Sequence, residues 1–342
     1  MAPSSPRRAS TTPPVTTSAD FSAPVSDVLG TPYVTRTVPL SLTDGGHSRR
    51  VRDVATVVHR SGVGRHGRAV VYLHGFIDTF FHAEHEAAWH DAGWDLYALE
   101  MRRSGRSLRP GQVRDDIRMM HVRHEEVGLA VDLARSEGAE EVVLLGHSTG
   151  GLQAVLFAHD HPGAVDAVLL NSPWLDLGRG WPTDVVATAL VDRLAPLAPR
   201  LPISSLTGTY GDWLTSPDGG GWDVPPSLKP TTSMPVHAGF FRAVRRAQRA
   251  VQRGRADVAE PVLLAMSRRS GARVDPGPAD LSSSDVVLDV RTMRRSASLL
   301  GERVDVLEVP GGIHDLALSP EPARSFYASE VIAWACARPW DR

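Results

Sequence analysis

Apolar residues fall into two rhythms along this chain. Short apolar-rich runs, some unbroken and some interrupted by polar residues, recur at residues 50–59, 69–73, 94–100, 142–145, 167–170, 261–266 and 304–309, as expected for strands, several of them buried on both faces. Between them, apolar positions three and four apart predict helices over residues 79–92, 120–136, 151–159 and 321–337. Such alternation specifies an α/β fold with a mostly parallel central sheet covered by helices on both sides. The rhythm fails between residues 175 and 260, where prolines and glycines are frequent and Trp181, Tyr210, Trp213, Trp222, Phe240 and Phe241 are scattered without a period. That stretch reads as a cap inserted over the carboxyl edge of the sheet. The expected organisation is a disordered tail (1–27), a core begun at 28–175, a cap at 176–256 and a core completed at 257–342.

Composition narrows this picture only a little. The chain has 342 residues, 42% hydrophobic and 22% charged, enough for one large α/β domain with an insertion. Its formal net charge is −2 and Lys229 is its only lysine. The arginines are balanced by acids, so nothing calls for nucleic acid, and their excess reads as a genome-composition effect. A single cysteine, Cys336, excludes an intramolecular disulfide and a cysteine-based metal site. Residues 1–25 are rich in Pro, Ser, Thr and Ala, with no apolar core of a signal peptide and no amphipathic transit-peptide pattern. No segment reaches the roughly 18 apolar residues that span a bilayer. The expectation is a soluble, cytoplasmic protein.

The chemistry begins at residues 140–152, where an apolar run enters Gly146-His147-Ser148-Thr149-Gly150-Gly151 and then a helical pattern. A Gly-x-Ser-x-Gly turn between strand and helix holds its serine in a strained, exposed conformation, and the flanking glycines avoid the collisions that side chains would cause. Ser148 is therefore the candidate nucleophile. A serine hydroxyl needs a base within hydrogen-bond reach and a carboxylate to orient that base. Of the histidines after Ser148, only His314 lies in a Gly-rich loop directly behind a predicted strand. The acid is sought among Asp275, Asp280, Asp285 and Asp289. Asp285 is the first choice because it precedes Val-Val-Leu-Asp-Val and so resembles the loop that carries the acid in many serine hydrolases. Asp275 and Asp289 stay open, and a helix-capping role suits Asp289 best. By position, the backbone N–H groups of Phe76 and Thr149 would face a developing oxyanion, each contributing on the order of 3 kcal/mol.

Four segments in this order, Leu73-His74-Gly75-Phe76, Gly146 to Gly151, Ser284-Asp285-Val286-Val287 and Gly312-Ile313-His314-Asp315, resemble the α/β-hydrolase fold. More narrowly they are similar to the serine aminopeptidase S33, monoacylglycerol lipase and lysophospholipase-like group, over about residues 30–340. The resemblance implies a cofactor-independent serine hydrolase with no metal, acting on a small-molecule acyl ester through an acyl-enzyme. The cap aromatics suggest an apolar acyl pocket, with Asp78, Trp174, Trp181 and Trp213 as candidate substrate contacts. One departure is that residues 267–284, between a strand and the acid, are longer than the usual short loop.

Other signals point elsewhere or nowhere. His82, His85, Glu86 and His90 miss the zincin His-Glu-x-x-His spacing by one residue and read as packed or exposed side chains. His121, His124 and Glu125 read the same way. Residues 240–255 form a basic amphipathic stretch, a solvated cap face first and a weak contact for membrane or anionic head groups second. Two rival functions survive: an S33-type aminopeptidase or amidase, which needs an acidic group for the substrate ammonium, and a non-catalytic ligand-binding protein on the same fold.

Overall fold

The computed structural model describes residues 21–44, 51–177, 191–206, 208–225, 228, 234–338 and 340. Its centre is a nine-stranded sheet. In chain order the strands are β1 (Val25–Ser26), β2 (Tyr33–Pro39), β3 (Val54–Arg60), β4 (Arg68–Leu73), β5 (Asp95–Glu100), β6 (Glu141–His147), β7 (Ala167–Asn171), β10 (Val262–Ser267) and β11 (Val304–Val309). They lie side by side as β1-β2-β3-β5-β4-β6-β7-β10-β11. The pairings from β5 through β4, β6, β7 and β10 to β11 are parallel, and those among β1, β2, β3 and β5 are antiparallel.

Neighbouring residues of the central strands belong to two different cores. Val71 and Leu73 of β4, Val142 and Leu144 of β6, and Val168 and Leu170 of β7 face one apolar cluster. Val70 and Tyr72, Val143 and Leu145, and Ala167 and Leu169 face the other. Side chains alternate across a strand, so a strand covered on both faces must be apolar at every position. Helices α2 (His124–Ser136) and α3 (Thr149–Asp160) cover the first face, and α1 (Ala83–Asp91) and α8 (Ala323–Cys336) the second.

Three local expectations change. The helix expected from Thr79 starts at Ala83, because residues 79–82 are buried in irregular chain and held from outside: Phe80 N donates to Glu100 Oε1 at 3.1 Å, and Arg106 Nη1 donates to Phe80 O at 3.1 Å. β1 and β2 precede the first strand expected from the sequence, and that strand runs Val54–Arg60 rather than from residue 50. The arginines of the loop after β5 are structural rather than a compositional by-product. Arg102 is fully buried and pairs with Glu126 at 2.6 Å, Arg103 is buried and pairs with Asp53 at 2.7 Å, and the partly buried Arg106 pairs with Asp27 at 2.6 Å. A buried guanidinium left without its carboxylate would cost about 3–5 kcal/mol.

The stretch read as a cap adds no strand to the large sheet among the described residues. It holds a two-stranded antiparallel sheet of β8 (Pro202–Leu206) and β9 (Met234–His237), with α4 (Thr209–Thr215) and α5 (Ala238–Gln252). α5 is the basic amphipathic stretch. It buries Phe240, Phe241, Val244, Ala247 and Val251 in the main core, while Arg246 and Arg253 stay exposed. No helix of the described residues is long and apolar enough to cross a membrane. The remaining helices, α6 (Pro278–Ser283) and α7 (Val290–Ala297), lie between β10 and β11.

Candidate active site

The sheet reverses its direction of growth at β4, with β5 on one side and β6 on the other, so the loops leaving β4 and β6 open a crevice at their carboxyl ends. Ser148 sits there, between β6 and α3, at φ 53° and ψ −113°. A non-glycine residue in such a conformation costs on the order of 1–3 kcal/mol, which the surroundings must over-determine. They do. Ser148 N donates to Asn171 O at 3.0 Å, and Ser148 O accepts from Trp174 N at 2.9 Å and Gly151 N at 3.1 Å. A Cβ on Gly146 would strike the Gly150 carbonyl, and one on Gly150 would strike the carbonyls of Leu73 and His74. Both glycines are needed for the close approach of the two loops.

His314 reaches Ser148 from the loop behind β11. Its Nε2 lies 3.2 Å from Ser148 Oγ and its Nδ1 lies 3.0 Å from Asp285 Oδ2. The Asp285 side chain is fully buried, and its second oxygen accepts from Val287 N at 2.8 Å and Leu288 N at 2.7 Å. An ionised carboxylate so placed only accepts, so Nδ1 of the imidazole carries the proton and Nε2 faces the serine hydroxyl as an acceptor. The long segment before Asp285 is an excursion through α6 that returns to its start. Asp285 pairs with Ser270 as in a short parallel bridge, its N donating to Arg269 O at 3.1 Å and its O accepting from Gly271 N at 2.9 Å. The carboxylate thus stands only a few residues beyond β10, as if the loop were short. Asp275 is exposed, and Asp289 caps α7 by accepting from Arg291 N at 3.0 Å. The Arg291 guanidinium holds the Asp289 carboxyl below its ordinary value.

Phe76 and Thr149 flank the same spot. A Cβ on Gly75 would lie 3.0 Å from His147 Cδ2 and 3.3 Å from Ser148 Cβ, so the loop after β4 passes close beside Ser148 and leaves no room there for a larger residue. Phe76 stacks on Phe240 with ring centroids 4.3 Å apart, and Ile77 N donates to Asp115 Oδ2 at 3.2 Å, which fixes that loop. Thr149 is the first residue of α3 and is buried.

Behind the serine and histidine lies a second polar group that the sequence motifs do not predict. Asp315 Oδ2 is 2.9 Å from His82 Nε2 and 4.0 Å from His147 Nε2. Asp315 Oδ1 accepts from Asn171 Nδ2 at 2.8 Å and Ala317 N at 3.1 Å. Tyr210 of α4 accepts from Asp315 N at 3.0 Å, and its hydroxyl is pushed well above its ordinary value by burial and by the Asp315 carboxylate. Asp78, His147 and Asp315 each place a polar atom within 4.8 Å of the others. A signal was present in one place only: Asn171 ends an otherwise apolar strand, Ala-Val-Leu-Leu-Asn. His82, read as merely packed or exposed, belongs to this group.

The substrate candidates divide. Asp78 is buried beside Asp315, as just described. Trp174 is buried, its backbone bonded to Ser148 and, through its carbonyl, to Gln248 Nε2 at 3.0 Å. Trp213 is half-buried in a small cluster with Phe81, Leu214, Val224, Ile313 and Leu318, on the flank of the His314 loop. Trp181 lies outside the described residues. Phe240 is absorbed into the main core and Trp222 donates to Leu318 O at 3.1 Å, so these two hold the cap to the sheet.

A mostly parallel sheet with a strained serine between strand and helix, an imidazole behind it and a crevice at the strand ends defines an α/β-hydrolase. Residues 64–270 match the family model described as serine aminopeptidase, S33, and the chain belongs to that family. The match includes Ser148 but stops short of Asp285 and His314, whose placement comes from the geometry above. The chain is 31% identical over 145 residues to a monoacylglycerol lipase of Mycolicibacterium smegmatis, an alignment covering 40% of this chain and 48% of that protein. It therefore spans about half the length of this curated relative. Among solved structures it is similar in fold to a monoacylglycerol lipase of Paleococcus ferrophilus (TM-score 0.55, 20% identity, 79% of this chain and 94% of that one). It is also similar to a soluble variant of monoglyceride lipase from Saccharomyces cerevisiae (TM-score 0.62, 12% identity, 94% and 95%).

Proposed function

We propose that this protein is a carboxylic-ester hydrolase working through an acyl-enzyme, with a monoacylglycerol or similar acyl ester as substrate. The observation that carries this reading is the continuous hydrogen-bonded line from Asp285 through His314 to Ser148. Ser148 Oγ attacks the ester carbonyl while its proton passes to His314 Nε2. Asp285 keeps the imidazole in the required tautomer and stabilises the imidazolium that forms. The backbone N–H groups of Phe76 and Thr149 receive the oxyanion, worth on the order of 3 kcal/mol for each donor. Collapse expels the alcohol, which leaves with the proton from Nε2. Water then attacks the acyl-enzyme by the same route in reverse. The curated relative's name supports a glycerol ester.

Aminopeptidase or amidase activity is the second reading. It is favoured by one feature: the Asp78 and Asp315 carboxylates converge beside His147, next to the nucleophile, and could hold an ammonium. Intact-mass spectrometry after treatment with a fluorophosphonate tests the serine itself. The expected result is one adduct on Ser148, and a chain of unchanged mass would overturn both readings in favour of a non-catalytic binding protein. Comparing monoacylglycerols with aminoacyl amides then separates the two, with the esters expected to be turned over faster.

A further inference from the structure

The amino ends of the parallel strands hold a second convergence of side chains, unrelated to the crevice. His66 comes from the loop between β3 and β4, His90 from the last turn of α1, and Asp95 is the first residue of β5. His66 Nδ1 lies 3.2 Å from Asp95 Oδ1, and the His66 and His90 rings meet edge-on with centroids 4.9 Å apart. One donor atom from each of the three residues lies within 4.8 Å of the other two. Ser148 is at the opposite end of the strands, since β5 and β6 both run parallel to β4.

We propose that His66, His90 and Asp95 form a binding site for a divalent transition-metal ion, zinc by its donor set. In a tetrahedron of ligands about 2.0–2.1 Å from zinc, neighbouring donors stand about 3.3 Å apart. The His66–Asp95 separation already has that value, and His90 closes the remaining distance by a rotamer adjustment that its half-buried position permits. Two neutral imidazoles and one carboxylate give a net charge of −1, with a fourth position left for water. Such donors suit zinc, nickel or copper rather than magnesium or calcium, which take oxygen ligands.

The carboxylate is held ready for this role. Asp95 is only 4% exposed, and its Oδ2 accepts from Gly64 N at 3.0 Å and His66 N at 3.3 Å, which aims Oδ1 at the imidazoles. Outer contacts of this kind orient metal ligands. Two of the ligands stand on a helix and a strand, which are rigid. The third sits in a loop whose Gly62, Gly64 and Gly67 all have positive φ, so the loop is shaped to return His66 to the strand ends. The ion would fasten that loop to α1 and β5 and raise stability without entering the chemistry at Ser148.

Calorimetric titration of the full chain, stripped with a chelator, tests this with Zn²⁺ alone and Mg²⁺ alone. One Zn²⁺ per chain is expected, and no saturable binding of Mg²⁺. Replacing an outer-shell partner weakens metal binding about 10–100-fold, so loss of a direct ligand in His66→Ala or His90→Ala should cost at least about 100-fold. The competing cluster is His121, His124 and His161 around Asp160. Zn²⁺ binding that survives His66→Ala/His90→Ala but is lost in His121→Ala/His161→Ala overturns the proposal. Should those variants unfold, footprinting the wild-type chain with diethyl pyrocarbonate decides instead. Zn²⁺ must protect His66 and His90 from modification, and equal modification with and without Zn²⁺ overturns the assignment.

Discussion

Two histidine–carboxylate pairs stand at opposite ends of the same parallel strands, and they differ in what completes them. At the carboxyl ends, His314 and Asp285 are 3.0 Å apart, both buried, and the free nitrogen of the imidazole faces Ser148. At the amino ends, His66 and Asp95 are 3.2 Å apart, the imidazole is half-buried, and the third member is another imidazole. The pair itself is therefore not a function. On the readings proposed above, a histidine held by a carboxylate acts as a base where a strained hydroxyl meets its other nitrogen, and as a metal ligand where a second imidazole stands beside it. A third kind of imidazole has no carboxylate. His85 accepts from Trp89 Nε1 at 3.1 Å, and burial, aided by His82, pulls its value down to about 4.

Removing the hydroxyl should break the comparison most sharply. Ser148→Ala is expected to lower kcat on p-nitrophenyl esters by at least about 10⁴-fold, since removing one member of such a unit costs nearly as much as removing all. Asp285→Asn comes next, at about 10⁴-fold or somewhat less. The amide oxygen would keep the Val287 and Leu288 N–H groups, leaving the NH₂ to face Nδ1, which forces the proton onto Nε2 and away from its useful place. Steady-state kinetics on folded protein checks both.

His85 supplies a stability prediction. Its native value lies below the unfolded value of about 6.5, so the unfolded chain binds more protons between about pH 6.5 and 4, and stability falls as pH falls through that window. The loss is on the order of 3 kcal/mol when complete. His85→Leu should flatten the decline of Tm from pH 7 to pH 5, and an unchanged slope would count against a neutral buried imidazole. The smallest effect concerns the acid's neighbour. Asp289→Ala should cost about 1 kcal/mol in denaturant unfolding, as loss of an α7 cap does, with kcat/KM unaltered. A large kinetic loss there would move the acid from Asp285 to Asp289.

Much of the crevice was legible because its signals are local. Gly146 and Gly150 around Ser148, an apolar run before them and a helix after them all lie within one short segment, and His314 follows its own strand by five residues. Asp285 was legible only by its likeness to a known loop, since the bridge to Ser270 that brings it back beside β10 leaves no mark on the intervening residues. The start of α1 was misread for the opposite reason. Residues 79–82 have helical spacing, yet bonds to Glu100 and Arg106 take up the N–H and carbonyl of Phe80 outside any helix. The buried partners of Arg102, Arg103 and Arg106 come from the N-terminal strand region and from α2, and nothing in the spacing of those arginines names them.

By itself the amino-acid sequence determined the alternating strands and helices, the doubly apolar central strands and the turn that strains Ser148, because each depends on steric and solvation preferences of residues close in the chain. Tertiary structure alone decided that Asp315 would meet His82 across 233 positions and that Asp95 would gather His66 and His90. Such groups are assembled by the packing of whole elements around a shared sheet, and a side chain's partner there is set by the fold's register, which no short window of residues contains.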